Sequence, residues 1–467
     1  MGRDVAVDAN DSQDPVRGQL PSLPPWPRDR TVVDAPVGGR LSLFLEAWSS
    51  LGDQWVSEVV SKGFRIPMLA SPPLTYEPAE VDHSSEARIC LRDAVSQLVQ
   101  KKAVIALGTQ VDSPGFYSNI FSVPKRDSEK RRMIHNLKFL NKWYIQPPPR
   151  FRLPTLPQLQ RIVQPGDFMI SLDLQDAYLH VPIHPDSQHL LRFVFEGCHY
   201  QWRVLPFGLS WGPWLFTRIT QPVRKFLQAH AISCHMFIDD LLQHSPRRQL
   251  TAVNLQYSVN LLRRLGWIIN LAKSDLTPTQ TLQYIGGLFQ THLALLSVPQ
   301  DRMLGWLPQL RRAISEPLSL REWQHLLGCL TACQDQTIRG RLHLRPLQVF
   351  LRPWIRQDDV RSLIKLPEDL RPHLLWWTHP ENVLSGVSLK PFEAQLQLFV
   401  DASLQGWGAH LEHQTAAGLW SILEREAHIN VLEFQAVLNA VRHWQLRLAG
   451  TALMIATDNS TVAYYIN

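Results

Sequence analysis

Cysteine is scarce in this chain of 467 residues: Cys90, Cys198, Cys234, Cys329 and Cys333 are scattered, odd in number and form no C-x-x-C pair. That excludes a disulfide framework and a zinc ribbon and fits a reducing, intracellular setting, cytoplasmic or nuclear. Cys329 and Cys333 lie one helical turn apart in an apolar run and read as packing. Long apolar stretches are missing too, so no bilayer span is expected. The N-terminus lacks a secretory h-region and the Ser or Thr that myristoylation requires after Gly2. A soluble protein without a membrane partner follows. No G-x-S-x-G, G-x-x-x-x-G-K-[ST] or H-E-x-x-H pattern occurs, which removes the common hydrolase, P-loop and zincin readings. His180 and His184 are four apart, but Pro182 between them breaks the helix that would aim both at one metal.

The length allows roughly three domains. Hydrophobic residues make up 45% and charged residues 19%, so most of the chain is expected to fold. A formal charge of +6 points to a polyanionic partner, because Lys and Arg gain affinity by releasing counterions from nucleic acid. Residues 1–40 are rich in Pro, Gly, Asp and Arg and poor in bulky aliphatics, the composition of a disordered leader. Residues 87–104 carry a helical apolar period. Residues 111–154 read as short β-prone pieces and residues 291–393 as helical in pattern.

Acids recur at the ends of apolar runs. Phe168-Met169-Ile170-Ser171-Leu172-Asp173 suits a buried strand with a carboxylate at its tip, and Cys234 to Leu242 suits a hairpin whose turn carries Asp239 and Asp240. Nucleotidyl transfer needs two divalent cations about 4 Å apart held by fixed carboxylates. Mg²⁺, with Mn²⁺ as the alternative ion, matches such hard oxygen ligands. Asp173 and Asp239 would bridge the pair, with Asp240 a weaker contributor.

These residues, with Leu205-Pro206-Phe207-Gly208-Leu209, Lys273 and Tyr284-Ile285-Gly286 in that order, resemble the reverse transcriptases of retroelements from Phe116 to about Phe289. The resemblance implies an α+β multidomain protein: a right-hand polymerase of fingers, palm and thumb, then a connection region and a truncated ribonuclease H-like α/β domain. It implies Asp173, Asp239 and Asp240 as metal ligands and Tyr178 as the gate against ribose. Phe207 and Gly208 become the template- and nucleotide-contacting loop, Lys125 and Arg132 the triphosphate grip, Lys273 the palm lysine and Tyr284 part of the primer grip. Phe237 stands where many relatives carry Tyr. RNA template, DNA primer, RNA–DNA hybrid and deoxynucleoside triphosphates are the implied partners. Phe207, the segment from Gly39 with Trp48 and Trp55, and the run His428 to Glu433 look most like DIRS-type, or else gypsy-like, elements.

Near the C-terminus, Asp401-Ala402-Ser403 with Gly406-Trp407-Gly408, Glu433 in a helical run, and Thr457-Asp458-Asn459 resemble retroelement ribonuclease H domains, whose two metals would sit on Asp401, Glu433 and Asp458. The sequence stops at Asn467, before the family's fourth acid, so an incomplete domain is expected. The expected layout is a disordered leader at 1–40, an N-terminal helical extension at 41–105, fingers and palm at 106–290, thumb and connection at 291–393, and the ribonuclease H-like domain at 394–467. Two alternatives stay open: a catalytically silent hybrid-binding remnant, and ribonuclease H as the principal activity.

Overall fold

A computed structural model describes residues 22–24, 34–124, 131–357, 361–390 and 393–466. Most of the expected leader, and Lys125, therefore lie outside the described residues. The chain divides into two compact units, one reaching to Leu389 and one beginning at Lys390. No described helix is long and apolar enough to cross a membrane.

The centre of the larger unit is a four-stranded antiparallel sheet, in the order Cys234–Phe237, Asp240–Ser245, Phe168–Asp173, Asp275–Thr279. Successive side chains of a strand point to opposite faces, and here both faces are covered. Ile170 and Leu172 enter the main core, while Met169 joins a second cluster with Leu159, Leu282 and Phe289. That is why the strand reads as a continuous apolar run and not as an alternating one. The helices Gly212–Ala229 and Arg248–Arg264 back this sheet.

Outlying strands form a three-stranded sheet of Val104–Gly108, Cys198–Trp202 and Arg192–Phe195, and a ribbon pairing Ile120–Pro124 with Arg131–His135. Residues 111–154 also contain the helix Lys138–Trp143, which the β-prone reading missed. Three helices, Gln300–Ser315, Leu320–Thr331 and Gly340–Gln357, enclose a separate core with Trp306, Trp323 and Leu347. A capping box, Ser319 with Glu322, starts the second of them. The helical pattern of 291–393 is interrupted by short strands at Leu295–Ser297, Leu318–Ser319, Leu363–Ile364 and Val387–Ser388.

The smaller unit is a sheet ordered Gln414–Leu419, Gly406–Leu411, Leu396–Ala402, Leu453–Ala456, antiparallel except for its last, parallel pair. The helix Ile429–His443 packs across Leu396–Ala402 and Gly406–Leu411 through Leu432, Ala436 and Ala440. The chain turns at Trp444, and Gln445–Leu448 forms a separate helical turn.

Residues 34–66 are built into the larger unit's core. Arg40 is buried and its Nε donates to the Gly266 carbonyl at 2.9 Å. The Trp48 indole donates to the Leu265 carbonyl at 2.9 Å and meets Trp267 edge-on. Trp48 is 1% exposed, so Trp48→Ala opens a large cavity and leaves a carbonyl unpaired. A loss of about 3–5 kcal/mol is expected, read as a lower urea midpoint for the larger unit's transition by circular dichroism.

Candidate active site

The strand tip and the hairpin meet in register. Asp173 stands directly across from Asp240, and the Leu174 amide donates to the Asp239 carbonyl at 3.0 Å. Residues opposite each other in an antiparallel pair present their side chains on one face, with Cβ atoms about 5 Å apart. Asp173 and Asp240 thus share a face. The hairpin is tighter than the sequence suggested: Ile238 and Asp239 form the two-residue turn, and Asp240 is already the first residue of the return strand. Asp240 is therefore the register partner of Asp173 and no weaker a candidate than Asp239. Ile238 has φ +55°, which β-branched residues rarely adopt, so backbone strain is concentrated beside Asp239.

Burial of these acids costs energy, and their mutual repulsion adds to it. Burial, then the charges of Asp239 and Asp173, push the Asp240 carboxyl up to about 6, while Lys273 pulls it down. Asp239 is raised by burial and by Asp173 and opposed by its own backbone amide and Lys273. Lys273 is thus placed to act on both carboxylates of the hairpin. Such crowding calls for added positive charge, the condition a pair of divalent cations would meet.

The scaffold is locked from behind. The Asp173 amide donates to Ser274 Oγ at 2.9 Å, and its carbonyl accepts from the Asn270 amide at 2.8 Å. Tyr284 is 4% exposed, and its hydroxyl lies 2.9 Å from the Asp240 carbonyl and 3.2 Å from that of His235. Its side chain therefore braces the hairpin from inside the core. Ser274 and Asn270 carried no signal in the sequence, since a Ser and an Asn beside a lysine read as an ordinary turn.

Tyr178 follows Asp173 on a short turn and is nearly buried. Its ring stacks on Phe207 at 5.0 Å and 14°, and burial and the charge of Asp239 push its hydroxyl up to about 12. A Cβ on Gly212 would come within 2.9 Å of the Tyr178 ring, so glycine there leaves room for the ring. Phe207 is 61% exposed and Gly208 has φ +96°. Asn141 holds this loop at both ends, its Nδ2 donating to the Gly208 carbonyl at 2.7 Å and its Oδ1 accepting from the Ser210 amide at 2.9 Å. Asn141 was not singled out because a lone Asn within a short helix has no pattern to betray it. Arg132 is exposed on the Arg131–His135 strand, across from Val123. His180 is buried and accepts from the Ile268 amide, and His184 contacts Arg65, so the two histidines are separately engaged.

In the smaller unit, ligand atoms of Asp401, Glu433 and Asp458 all lie within 4.8 Å of one another, the one such group of three or more among the described residues. Asp173, Asp239 and Asp240 are not drawn together that closely. Burial, then the charges of Asp401 and Asp458, raise the Glu433 carboxyl, and its Oε2 is buried with no hydrogen-bond partner. A buried carboxylate oxygen without a donor is costly unless a cation faces it, so this donor set fits hard divalent metal.

Residues 123–288 match the family described as reverse transcriptase (RNA-dependent DNA polymerase). Over 434 residues the chain is 24% identical to the enzymatic polyprotein of carnation etched ring virus, covering 89% of this chain and 60% of that protein. It is 27% identical over 318 residues to the Gag-Pol polyprotein of walleye dermal sarcoma virus, covering 62% of this chain and 17% of that protein. The chain thus spans about 60% of the length of the polyproteins it matches along most of its own. The foamy viral protease-reverse transcriptase solved with dsDNA superposes with a TM-score of 0.57 at 17% identity, covering 96% of this chain and 92% of that one. The same protein solved with an RNA/DNA hybrid gives 0.57 at 16%, covering 94% and 58%. At these identities the likeness establishes the fold, a right-hand polymerase architecture.

The raised Asp240 carboxyl gives a signed prediction. Its folded state binds a proton more tightly than the unfolded chain, so its contribution to stability is complete below about pH 4 and is lost as pH rises through about 6. In chelator, Asp240→Asn is expected to raise the thermal midpoint relative to the parent at pH 8, with the gap closing towards pH 4. A variant no more stable than the parent at pH 8 would contradict the crowding.

Proposed function

We propose that this chain is an RNA-directed DNA polymerase of a retroelement, most like the DIRS-type or gypsy-like kind, with an associated ribonuclease H unit. The observation that carries the polymerase reading is the register pair Asp173–Asp240 with Asp239 on the adjoining turn, within the segment matching the reverse transcriptase family. Asp173, Asp239 and Asp240 would hold two Mg²⁺ ions, which supply activation of a primer 3′-hydroxyl and charge neutralisation on the triphosphate. The residues of the chain do the rest. Lys273 offsets the carboxylate charge. Arg132 and Lys125 would meet the triphosphate and stabilise charge building on the pyrophosphate. Tyr178, pinned between Phe207 and Gly212, would fill the volume a ribose 2′-hydroxyl needs. Asn141 holds the Phe207–Ser210 loop against which a templated base pair would rest.

Support for hybrid cleavage comes from the Asp401, Glu433 and Asp458 cluster with its unpartnered Glu433 oxygen. RNA template, DNA primer and RNA–DNA hybrid are the proposed partners, in keeping with the nucleic acids bound by the superposable foamy viral protein.

On a primed RNA template with Mg²⁺ and deoxynucleotides, Asp239→Asn is expected to abolish extension while keeping the circular dichroism spectrum of the parent. Extension by that variant at the parental rate would refute the ligand assignment. Tyr178→Ala is expected to retain deoxynucleotide incorporation and to admit ribonucleotides at least about tenfold better, a change of about 1.4 kcal/mol in discrimination. For the smaller unit, Asp401→Asn is expected to remove Mg²⁺-dependent cleavage of hybrid RNA and to leave primer extension intact. Absence of cleavage by the parent would confine the chain to polymerisation, and tight hybrid binding with neither reaction would mark a silent remnant.

A further inference from the structure

Two clefts in the larger unit share one wall, Trp214. The first, about 260 Å³, runs from Met236 and Ile238 of the strained hairpin along the helix Gly212–Ala229, with Phe151, Arg152 and Arg224 on its sides. The second, about 460 Å³, is also lined by Trp214 and opens between the helix Gln54–Lys62 with the residues after it and Trp211. Four aromatic rings line the second cleft: Phe64 lies 5.5 Å from Trp211, Trp211 5.1 Å from Trp214, and Trp214 5.8 Å from Trp55. Phe64 and Trp211 are buried behind the half-buried Trp55 and Trp214, which present the surface of the wall.

Charge along this path is mostly positive. Arg152, Lys62 and Arg65 are exposed and Arg224 is half-buried. Lys62 pairs with Glu58 at 2.9 Å and Arg65 with Asp186 at 2.5 Å, both exposed pairs that bind weakly and exchange readily for another anion. Arg218 is the exception. Its guanidinium is held by both Asp53 oxygens, at 2.8 and 3.1 Å, and lies over the Trp55 ring at 5.0 Å. It anchors the N-terminal segment and fixes Trp55 in the wall.

We propose that this path is a binding track for the unpaired template strand, running from the catalytic hairpin past Trp214 to a base-stacking pocket that the N-terminal segment completes through Trp55. Aromatic faces with interspersed cations are how proteins hold single strands without sequence preference, because every base has a face to stack and every nucleotide a phosphate. The larger cleft has room for a nucleobase, and its position continues a cleft that begins at the turn bearing Asp239. This rests on the polymerase reading above, which supplies the strand. The N-terminal segment then has a function beyond packing: it lengthens the template's footprint on the enzyme.

The test compares the full chain on two labelled primer–templates, one with an unpaired template overhang on the order of ten nucleotides and one nearly blunt. Affinity is measured by fluorescence anisotropy without nucleotides. The double variant Lys62→Glu, Arg152→Glu is expected to weaken the overhang substrate at least about tenfold, to reduce its salt slope by about two, and to leave the near-blunt substrate unchanged. Trp55→Ala is expected to weaken the overhang substrate by roughly 5- to 150-fold, and Trp55→Phe to keep most of the affinity. If Trp55→Ala does not fold, the charge pair and the Phe variant decide. Equal losses on both substrates, or no loss on either, would overturn the track. In a parallel assay with Mg²⁺ and deoxynucleotides, failure of the parent to extend the overhang substrate would instead refute the polymerase reading, so the two failures are separable.

Discussion

Backbone register sets three carboxylates, Asp173, Asp239 and Asp240, at one hairpin tip. Asp173 and Asp240 are register partners, and the Leu174 amide ties Asp239 to the same strand. In water such acids would separate and solvate, whereas here burial and mutual repulsion raise Asp239 and Asp240, with Lys273 as the opposing cation. A fold that tolerates this arrangement must stabilise it elsewhere. The lock behind Asp173 from Ser274 and Asn270, and the brace of Tyr284 beneath the hairpin, are where it does so.

Strain and support are divided along the hairpin. The positive φ of Ile238 falls at the turn, where Asp239 must be aimed, while the return strand continues as Leu241 and Leu242, both fully buried and in different core clusters. A slip by one position would exchange the cores that Leu241 and Leu242 enter and carry Asp240 away from its place opposite Asp173.

Apolar runs that ended in an acid made the central strand and the hairpin readable from the chain alone, because strands buried on both faces leave an unmistakable composition. The strands Leu396–Ala402 and Leu453–Ala456 are different, each covered on one face only, with Phe399 and Met454 exposed. Position within the turn was not readable: period-2 logic made Asp240 the lesser acid, whereas the two-residue turn sets it opposite Asp173. Tyr284 was placed against a primer by resemblance, and its burial could be known only once the Asp240 and His235 carbonyls were seen to sit over its hydroxyl. Asn141, Ser274 and Gly212 act through contacts with residues distant in sequence, so no local pattern announces them. The helical reading of 291–393 missed strands of two or three residues, which tertiary pairing imposes on segments with little strand character of their own.

The two units reach a carboxylate cluster by different means, and the difference has consequences. In the larger one, all three acids come from neighbouring strands and their turn, so a single sheet sets their spacing and a hairpin shift would move two of them together. In the smaller one, Asp401 comes from a strand, Glu433 from the helix packed across it, and Asp458 follows the parallel strand Leu453–Ala456. There the spacing depends on helix-to-sheet packing through Leu432 and Ala436, which flank Glu433 and are themselves buried. A side chain fixed between two core residues on a helix cannot swing out to water, which is why Glu433, alone of its three, is buried with an unpartnered oxygen. Its geometry is set before any ion arrives, so a cation entering that cluster would find one ligand already desolvated and the other two free to adjust.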